Sequence, residues 1–155
     1  MRRLLPARLR RGRAGDLDAL LAIELAAFTT DRLSRRSFRH FLAAPGATVV
    51  VAESDGKIAG YMMVLYPPRS KLARLYSIAL ARSSTRRGIG TLLLAAAESA
   101  ARRRGRLTMR LEVHEHNGRA ITFYEKSGYR LFGRHPAYYD DRGDALRFEK
   151  PLGKK

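Results

Sequence analysis

Apolar residues first recur with a helical period. Leu17, Leu20, Leu21, Leu25 and Phe28 follow one another at spacings of one, three or four, with Glu24 on the same stripe. This is the signature of an amphipathic helix packed by one face. Asp16 is read as its N-cap, and Asp18 sits where the positive helix end favours an acid. A second helix is predicted over 34–43, capped by Ser34 and stopped by Pro45-Gly46. The pattern then turns strand-like. A valine-rich run at 48–53 meets the tight-hairpin dipeptide Asp55-Gly56, and the return strand at 58–66 ends on Pro67-Pro68. Residues 73–80 form a further apolar strand. A strong helix follows at 89–104, closed by Gly105. Residues 107–114 read as a strand, and Asn117 opens a helix that Gly128 stops. Segments 129–134 and 145–150 form a last hairpin. The order β-α-α-β-β-β-α-β-α-β-β predicts an α/β fold, with a mixed, mostly antiparallel sheet flanked by about four helices.

The totals narrow the classes. The chain has 155 residues, 45% of them hydrophobic, which suits one compact domain spanning 1–155. It has no cysteine, which excludes disulfides, cysteine-bound zinc and thiol catalysis. The longest apolar run, 59–66, is strand-sized and broken by Gly60, so no membrane contact is expected. The basic N-terminus lacks the apolar stretch of a secretion signal. A bacterial, cytoplasmic protein is the expectation. The net charge is +17 and the pI about 11.2. The charge is scattered arginine without the basic-aromatic pattern of RNA-binding modules, so a solvated basic surface is favoured over dedicated nucleic-acid binding. Non-specific contact with nucleic acid follows either way.

Candidate chemistry begins at Arg86-Arg87-Gly88-Ile89-Gly90-Thr91. The first amides of a helix have no partner within it, and with the helix dipole they form an anion site. Glycines let a ligand approach where a Cβ would stand. The motif lacks the Gly-Lys-Ser/Thr of a phosphate-binding P-loop and the third glycine of a dinucleotide fingerprint. A two-glycine turn by itself is more often just a tight turn. In 107–114, Leu107, Met109, Leu111 and Val113 share one face, while Thr108, Arg110, Glu112 and His114 share the other. Glu112 reads either as part of a solvated Arg–Glu strand face or as a general base whose proton affinity partial burial raises. Tyr124 reads either as a core aromatic or as a proton donor. His114 and His116 stand two apart with no nearby carboxylate triad, so no metal site is expected.

Together these pieces resemble the GNAT N-acetyltransferases. Thr85-Arg-Arg-Gly-Ile-Gly-Thr91 is similar to the family's acetyl-CoA loop, Gln/Arg-x-x-Gly-x-Gly/Ala. Leu111-Glu-Val-His-Glu-His-Asn117 and Phe123-Tyr-Glu-Lys-Ser-Gly-Tyr129 resemble its C-terminal half, most of all in the RimI-like branch, which acetylates the terminal alanine of a ribosomal protein. The resemblance implies that acetyl-CoA is the co-substrate, with no metal. It places the pyrophosphate on the amides of Arg86, Arg87, Gly88, Ile89, Gly90 and Thr91. The pantetheine arm falls along Ile78, Ala79 and Leu80, with Leu80 N–H on the thioester oxygen, and Asn117 also contacts the cofactor. Glu112 is implied as base and Tyr124 as acid. Phe28, Tyr138 and Tyr139 are implied at the acceptor, favoured as a protein N-terminal α-amine, with a ribosomal protein as the implied partner. A lysine side chain or small amine is the alternative acceptor. A non-catalytic acetyl-CoA- or RNA-binding module is the alternative of another class. Two departures stand out. Thr85 replaces the usual Gln or Arg, and segment 28–34 lacks the branch's Pro-Trp in a chain with no tryptophan.

Overall fold

The computed structural model describes residues 7–29, 31–82 and 88–153. Strand β1 (Arg8–Arg11) leads through a 3-10 turn (Ala14–Asp16) into helix α1 (Leu17–Ala27), followed by α2 (Arg35–Ala43). Strands β2 (Ala47–Ser54), β3 (Lys57–Leu65) and β4 (Leu72–Leu80) come next. Then follow α3 (Ile89–Arg103), β5 (Thr108–His114), α4 (Gly118–Lys126), β6 (Arg130–His135) and β7 (Ala145–Pro151). The predicted order holds throughout. The β2–β3 hairpin turns on Asp55 and Gly56, with φ of 55° and 75°, the mirror-image turn that matches strand twist. Ser34 caps α2 by accepting a hydrogen bond from Ser37 N.

All seven strands form one sheet in the order β1-β2-β3-β4-β5-β7-β6. Neighbours are antiparallel except β4 and β5, which run parallel. Helices α1 and α2 cover one face, where Leu20, Ile23 and Phe38 pack on Val49, Val51, Tyr61 and Met63. Helices α3 and α4 cover the other, where Leu93, Leu94 and Tyr124 pack on Met62, Val64, Met109 and Leu111. Strand β3 is buried on both faces, which explains its near-continuous apolar run, interrupted by Gly60 alone. No helix among the described residues is long and apolar enough to cross a membrane.

Three local expectations are corrected. Asp16 does not cap α1 with its side chain. It is buried in a two-pronged ion pair with Arg10, both contacts at 2.8 Å, and accepts a hydrogen bond from Arg13 N. Leu25, on the predicted stripe, is 61% exposed, and Ile23 is buried in its place. The helix is rotated so that Leu17, Leu20, Ile23 and Glu24 meet the sheet. Leu107 is also exposed, because β5 begins one residue later.

Candidate active site

The sheet opens where β4 leaves β5. Their parallel register runs only from Leu72↔Thr108 to Arg74↔Arg110. Past Arg74, β4 stays paired with β3 alone. There a bulge at Tyr76 interrupts the register, with Val64 opposite Leu75 and Met63 opposite Ser77. Ala81 N–H donates to Ala59 O on the β3 side. Strand alternation therefore turns Leu80 N–H, and Ile78 N–H before it, toward the gap. Among the described residues these edge groups have no partner on that side, the wedge between β4 and β5.

Helix α3 starts at the mouth of this wedge. Gly88, with φ of 70°, is its N-cap, and Leu92 N–H to Gly88 O is its first recorded bond. The amides of Ile89, Gly90 and Thr91 come before any intrahelical donor. The Ile89 side chain is buried, so that residue offers only its amide. A Cβ built on Gly90 would lie 3.7 Å from Phe123 Cζ and 3.8 Å from Leu80 Cδ1. Gly90 thus marks the point where α3, α4 and the end of β4 converge. Arg86 and Arg87, like Thr85, lie outside the described residues.

On the α3–α4 face, Tyr124 sits between Phe123 and Tyr129, with ring centroids 5.1 and 5.7 Å away. Burial pushes its phenol well above the ordinary range, so it holds its proton. Its hydroxyl bonds to no described residue, yet among described buried side-chain atoms only Arg10 Nε is both sealed from solvent and unpartnered. The Tyr124 side chain is buried in the core on this face. Asn117 Oδ1 accepts from Ala120 N and caps α4.

On the α1–α2 face, Glu112 is held by two arginines. Arg74 approaches Glu112 Oε1 at 2.8 Å and Arg147 approaches Oε2 at 3.7 Å. Arg74 also donates to the Tyr138 hydroxyl at 2.9 Å and lies over the Tyr76 ring. His114 accepts His116 N–H at Nδ1, so its neutral form carries the proton on Nε2, which meets Asp141 at 2.8 Å. Tyr139 stacks on His114 at 4.9 Å. Asp31, in the α1–α2 loop, accepts from Asp140 N in the β6–β7 loop. Arg134, bridging Glu115 and Asp144, ties the β6–β7 loop down.

The sheet thus parts between β4 and β5, with the buried Tyr124 phenol, unbonded among the described residues, on one face and the Glu112 carboxylate on the other. The model of the Acetyltransferase (GNAT) family matches residues 17–129. The chain belongs to this family. The acetyltransferase is 31% identical to an N-alpha-acetyltransferase of Sulfurisphaera tokodaii, over 94% of this chain and 93% of that one. It is 27% identical to the catalytic subunit of the N-terminal acetyltransferase A complex of Arabidopsis thaliana, over 93% and 77%. Its fold matches the crystal structure of the ribosomal-protein-S18-alanine N-acetyltransferase from Escherichia coli, with TM-score 0.85, 26% identity and 96% of each chain covered. It is an N-acetyltransferase of the GNAT type.

Within this acetyltransferase, the structure gathers Leu80, Gly90 and Phe123 at one end of the wedge. It gathers Glu112 and Tyr138 around Arg74 at the other. Phe28 does not join the tyrosines by any ring contact. It packs half-buried against the α1–α2 core, and its carbonyl accepts from Arg32. His114, for which the sequence offers no carboxylate triad, gains a single carboxylate partner, since Asp141 arrives from the β6–β7 loop. Arg74, Tyr76 and Asp141 escaped sequence reasoning. Arg74 and Tyr76 sit in a strand that reads as plain apolar, and Asp141 lies in a loop 27 residues from its partner.

Proposed function

We propose that this acetyltransferase moves the acetyl group of acetyl-CoA directly to a protein N-terminal α-amine, with Glu112 as base and Tyr124 as acid. One observation carries the reading. Strands β4 and β5 part past Arg74, with Tyr124 on the α3–α4 face and Glu112 on the other, an arrangement that would let a thioester enter from one side and an amine from the other.

The chain's groups fit acetyl-CoA. Gly88 has nothing within 4 Å of a built Cβ among the described residues, and Gly90 has only ordinary contacts, so both leave room over the α3 amides. Those of Ile89, Gly90 and Thr91, with Arg86 and Arg87 preceding them, would take the pyrophosphate. The open edge at Ile78, Ala79 and Leu80 would pair with the pantetheine arm as an added strand, Asn117 lying alongside. Leu80 N–H, turned into the wedge, would polarise the thioester oxygen. When bound, acetyl-CoA supplies an activated acetyl group. Glu112 takes the proton of the incoming ammonium, directly or through water. Tyr124 gives its proton to the departing sulfur, and its hydroxyl is free to do so because no described group engages it. No covalent enzyme intermediate is required once amine and thioester are aligned.

The relatives that act on protein N-termini favour that acceptor, a ribosomal protein among them. Phe28, Tyr138 and Tyr139 would line its path, with the Asp31 and Asp140 carboxylates drawing a cation. Cysteine-free composition suits a bacterial cytoplasm, and the +17 charge adds loose nucleic-acid contact. The test is an acetylation screen over N-terminal peptides, lysine peptides and small amines, with product read by mass. Acetyl on an N-terminal α-amine is expected. Acetyl only on lysine side chains or small amines would overturn the acceptor.

A further inference from the structure

Glu24 is a charged residue that the scheme above does not use. It lies on α1, is 3% exposed, and contacts no cation among the described residues. In a chain with 31 lysines and arginines this is notable, because a buried carboxylate without a counter-ion is costly. Its oxygens take two donors. Leu33 N–H donates to Oε2 at 2.7 Å, and the Tyr61 hydroxyl donates to Oε1 at 2.5 Å. Tyr61, fully buried on β3, contacts the Ser77 hydroxyl at 2.8 Å. The single Tyr61 proton is committed to Glu24, so the proton in the Ser77 contact must be serine's. The chain is therefore polarised from Ser77 to Tyr61 to Glu24. Ser77 stands on the β4 bulge, half-buried, directly after Tyr76, which is exposed beside Arg74 and hence beside Glu112.

We propose that Ser77, Tyr61 and Glu24 form a proton relay that drains the acceptor slot, a second exit beside Glu112. This rests on the acetyl-transfer reading. The ammonium gives one proton, directly or through water, to Ser77 Oγ. Ser77's own proton passes to the Tyr61 oxygen, and Tyr61's proton passes to Glu24 Oε1. One N–H bond of the ammonium and the original O–H bonds of Ser77 and Tyr61 break, a new O–H bond forms at each of the three oxygens, each hydroxyl again carries one proton, and the net change is ammonium to amine and carboxylate to carboxyl. Burial raises the proton affinity of Glu24, while the Tyr61 and Leu33 donors and the nearby Arg32 oppose that rise. The same burial, with Glu24 and Tyr76 adjacent, pushes the Tyr61 phenol up, so it conducts as a neutral hydroxyl. The Leu33 bond also ties the receiving carboxylate to the α1–α2 loop, which borders the acceptor side.

The experiment uses the full chain. Wild-type acetylation of an N-terminal peptide comes first, and its absence would sink the acetyl-transfer reading without touching the relay geometry. Ser77→Ala leaves the Tyr61–Glu24 pair intact and so keeps the fold. Its kcat/KM is expected to fall about tenfold near pH 6.5, less than the roughly hundredfold or more of a sole proton-transfer group because Glu112 remains, and to meet wild type near pH 9, where the amine is already neutral. Tyr61→Phe should show the same profile. A loss equal at all pH values, or no loss, overturns the relay. A readout independent of turnover is the infrared band of the Glu24 carboxyl in the free enzyme, assigned by its disappearance in Glu24→Gln. Tyr61→Phe should shift its titration, and an unmoved titration also overturns the proposal.

Discussion

Gly90→Ala separates what the fold needs from what a ligand needs. Gly90 is the second residue of α3 and is not among the described glycines with positive φ, so alanine can adopt its backbone. The new methyl would meet Phe123 and Leu80 at 3.7 and 3.8 Å, ordinary contact distances. Alanine loses less backbone entropy than glycine in a helix, so the free protein should gain about 0.5–1 kcal/mol. The same methyl stands over the amides assigned to the pyrophosphate. Loss of one charge-assisted hydrogen bond is worth about 1.5–3 kcal/mol, or about tenfold to a hundredfold in affinity. Urea unfolding with and without acetyl-CoA reads both effects. At a concentration of about 100 wild-type Kd, ligand adds about 2.7 kcal/mol to wild type, and about 1.4 kcal/mol to a variant bound tenfold more weakly. The two changes therefore have opposite signs. A ligand increment equal to wild type refutes the cradle, and a free protein weaker by a kcal/mol or more refutes the packing argument. Gly88→Ala is the contrast. With φ of 70° it forces alanine into the left-handed region and should destabilise by about 1 kcal/mol even without ligand.

Other substitutions probe neighbouring links. A Cβ on Gly60 would come within 2.8 Å of Leu80 Cδ2 and 2.9 Å of the Ala79 carbonyl oxygen. Gly60→Ala should therefore cost about 1–3 kcal/mol in urea unfolding and weaken acetyl-CoA, because β4 must move at its binding edge. Tyr124→Phe should lower kcat with little change in acetyl-CoA affinity by calorimetry, and equal kcat would make Tyr124 structural. Since burial holds that phenol protonated, the alkaline side of the pH–rate profile should show no titration from Tyr124. Asp16→Ala leaves the largely buried Arg10 without its closest partner and should cost about 2–4 kcal/mol. The Arg10 hydrogen bonds hold the Asp16 carboxyl below its ordinary value. Its stabilisation is then present above the unfolded value of about 4 and lost as pH falls through the folded one. Unfolding from pH 7 downward should show that loss in wild type and not in the variant.

Much of this molecule was legible in the chain. Helical and strand periods, the Asp55-Gly56 turn, the Ser34 and Asn117 caps and the glycines before α3 are written in contiguous residues. Each reflects what a short stretch of backbone requires of its own side chains. The likeness of Thr85–Thr91, Leu111–Asn117 and Phe123–Tyr129 to the motifs of the GNAT enzymes pointed to the family. The α1 stripe was misread at Leu25 because the hydrophobic period defines an apolar arc but not the angle at which the sheet meets it. Asp16 was misread because its partner is Arg10 on β1, across the chain's first turn.

Tertiary structure alone decided how the site is wired. Arg74 reaches Glu112 across 38 residues, Glu24 reaches Tyr61 across 37, and Asp141 reaches His114 across 27. No local pattern encodes such pairs, because they depend on strand order, on register, and on a bulge that turns Tyr76 and Ser77 to one face. The wedge itself is of this kind. Each of β4 and β5 reads as an ordinary strand, and only their parting past Arg74 turns a backbone edge into a place for a ligand. Chain-local chemistry determined the elements and marked the candidate site residues. Packing of two helical layers on a twisted, bulged sheet determined which of those residues meet.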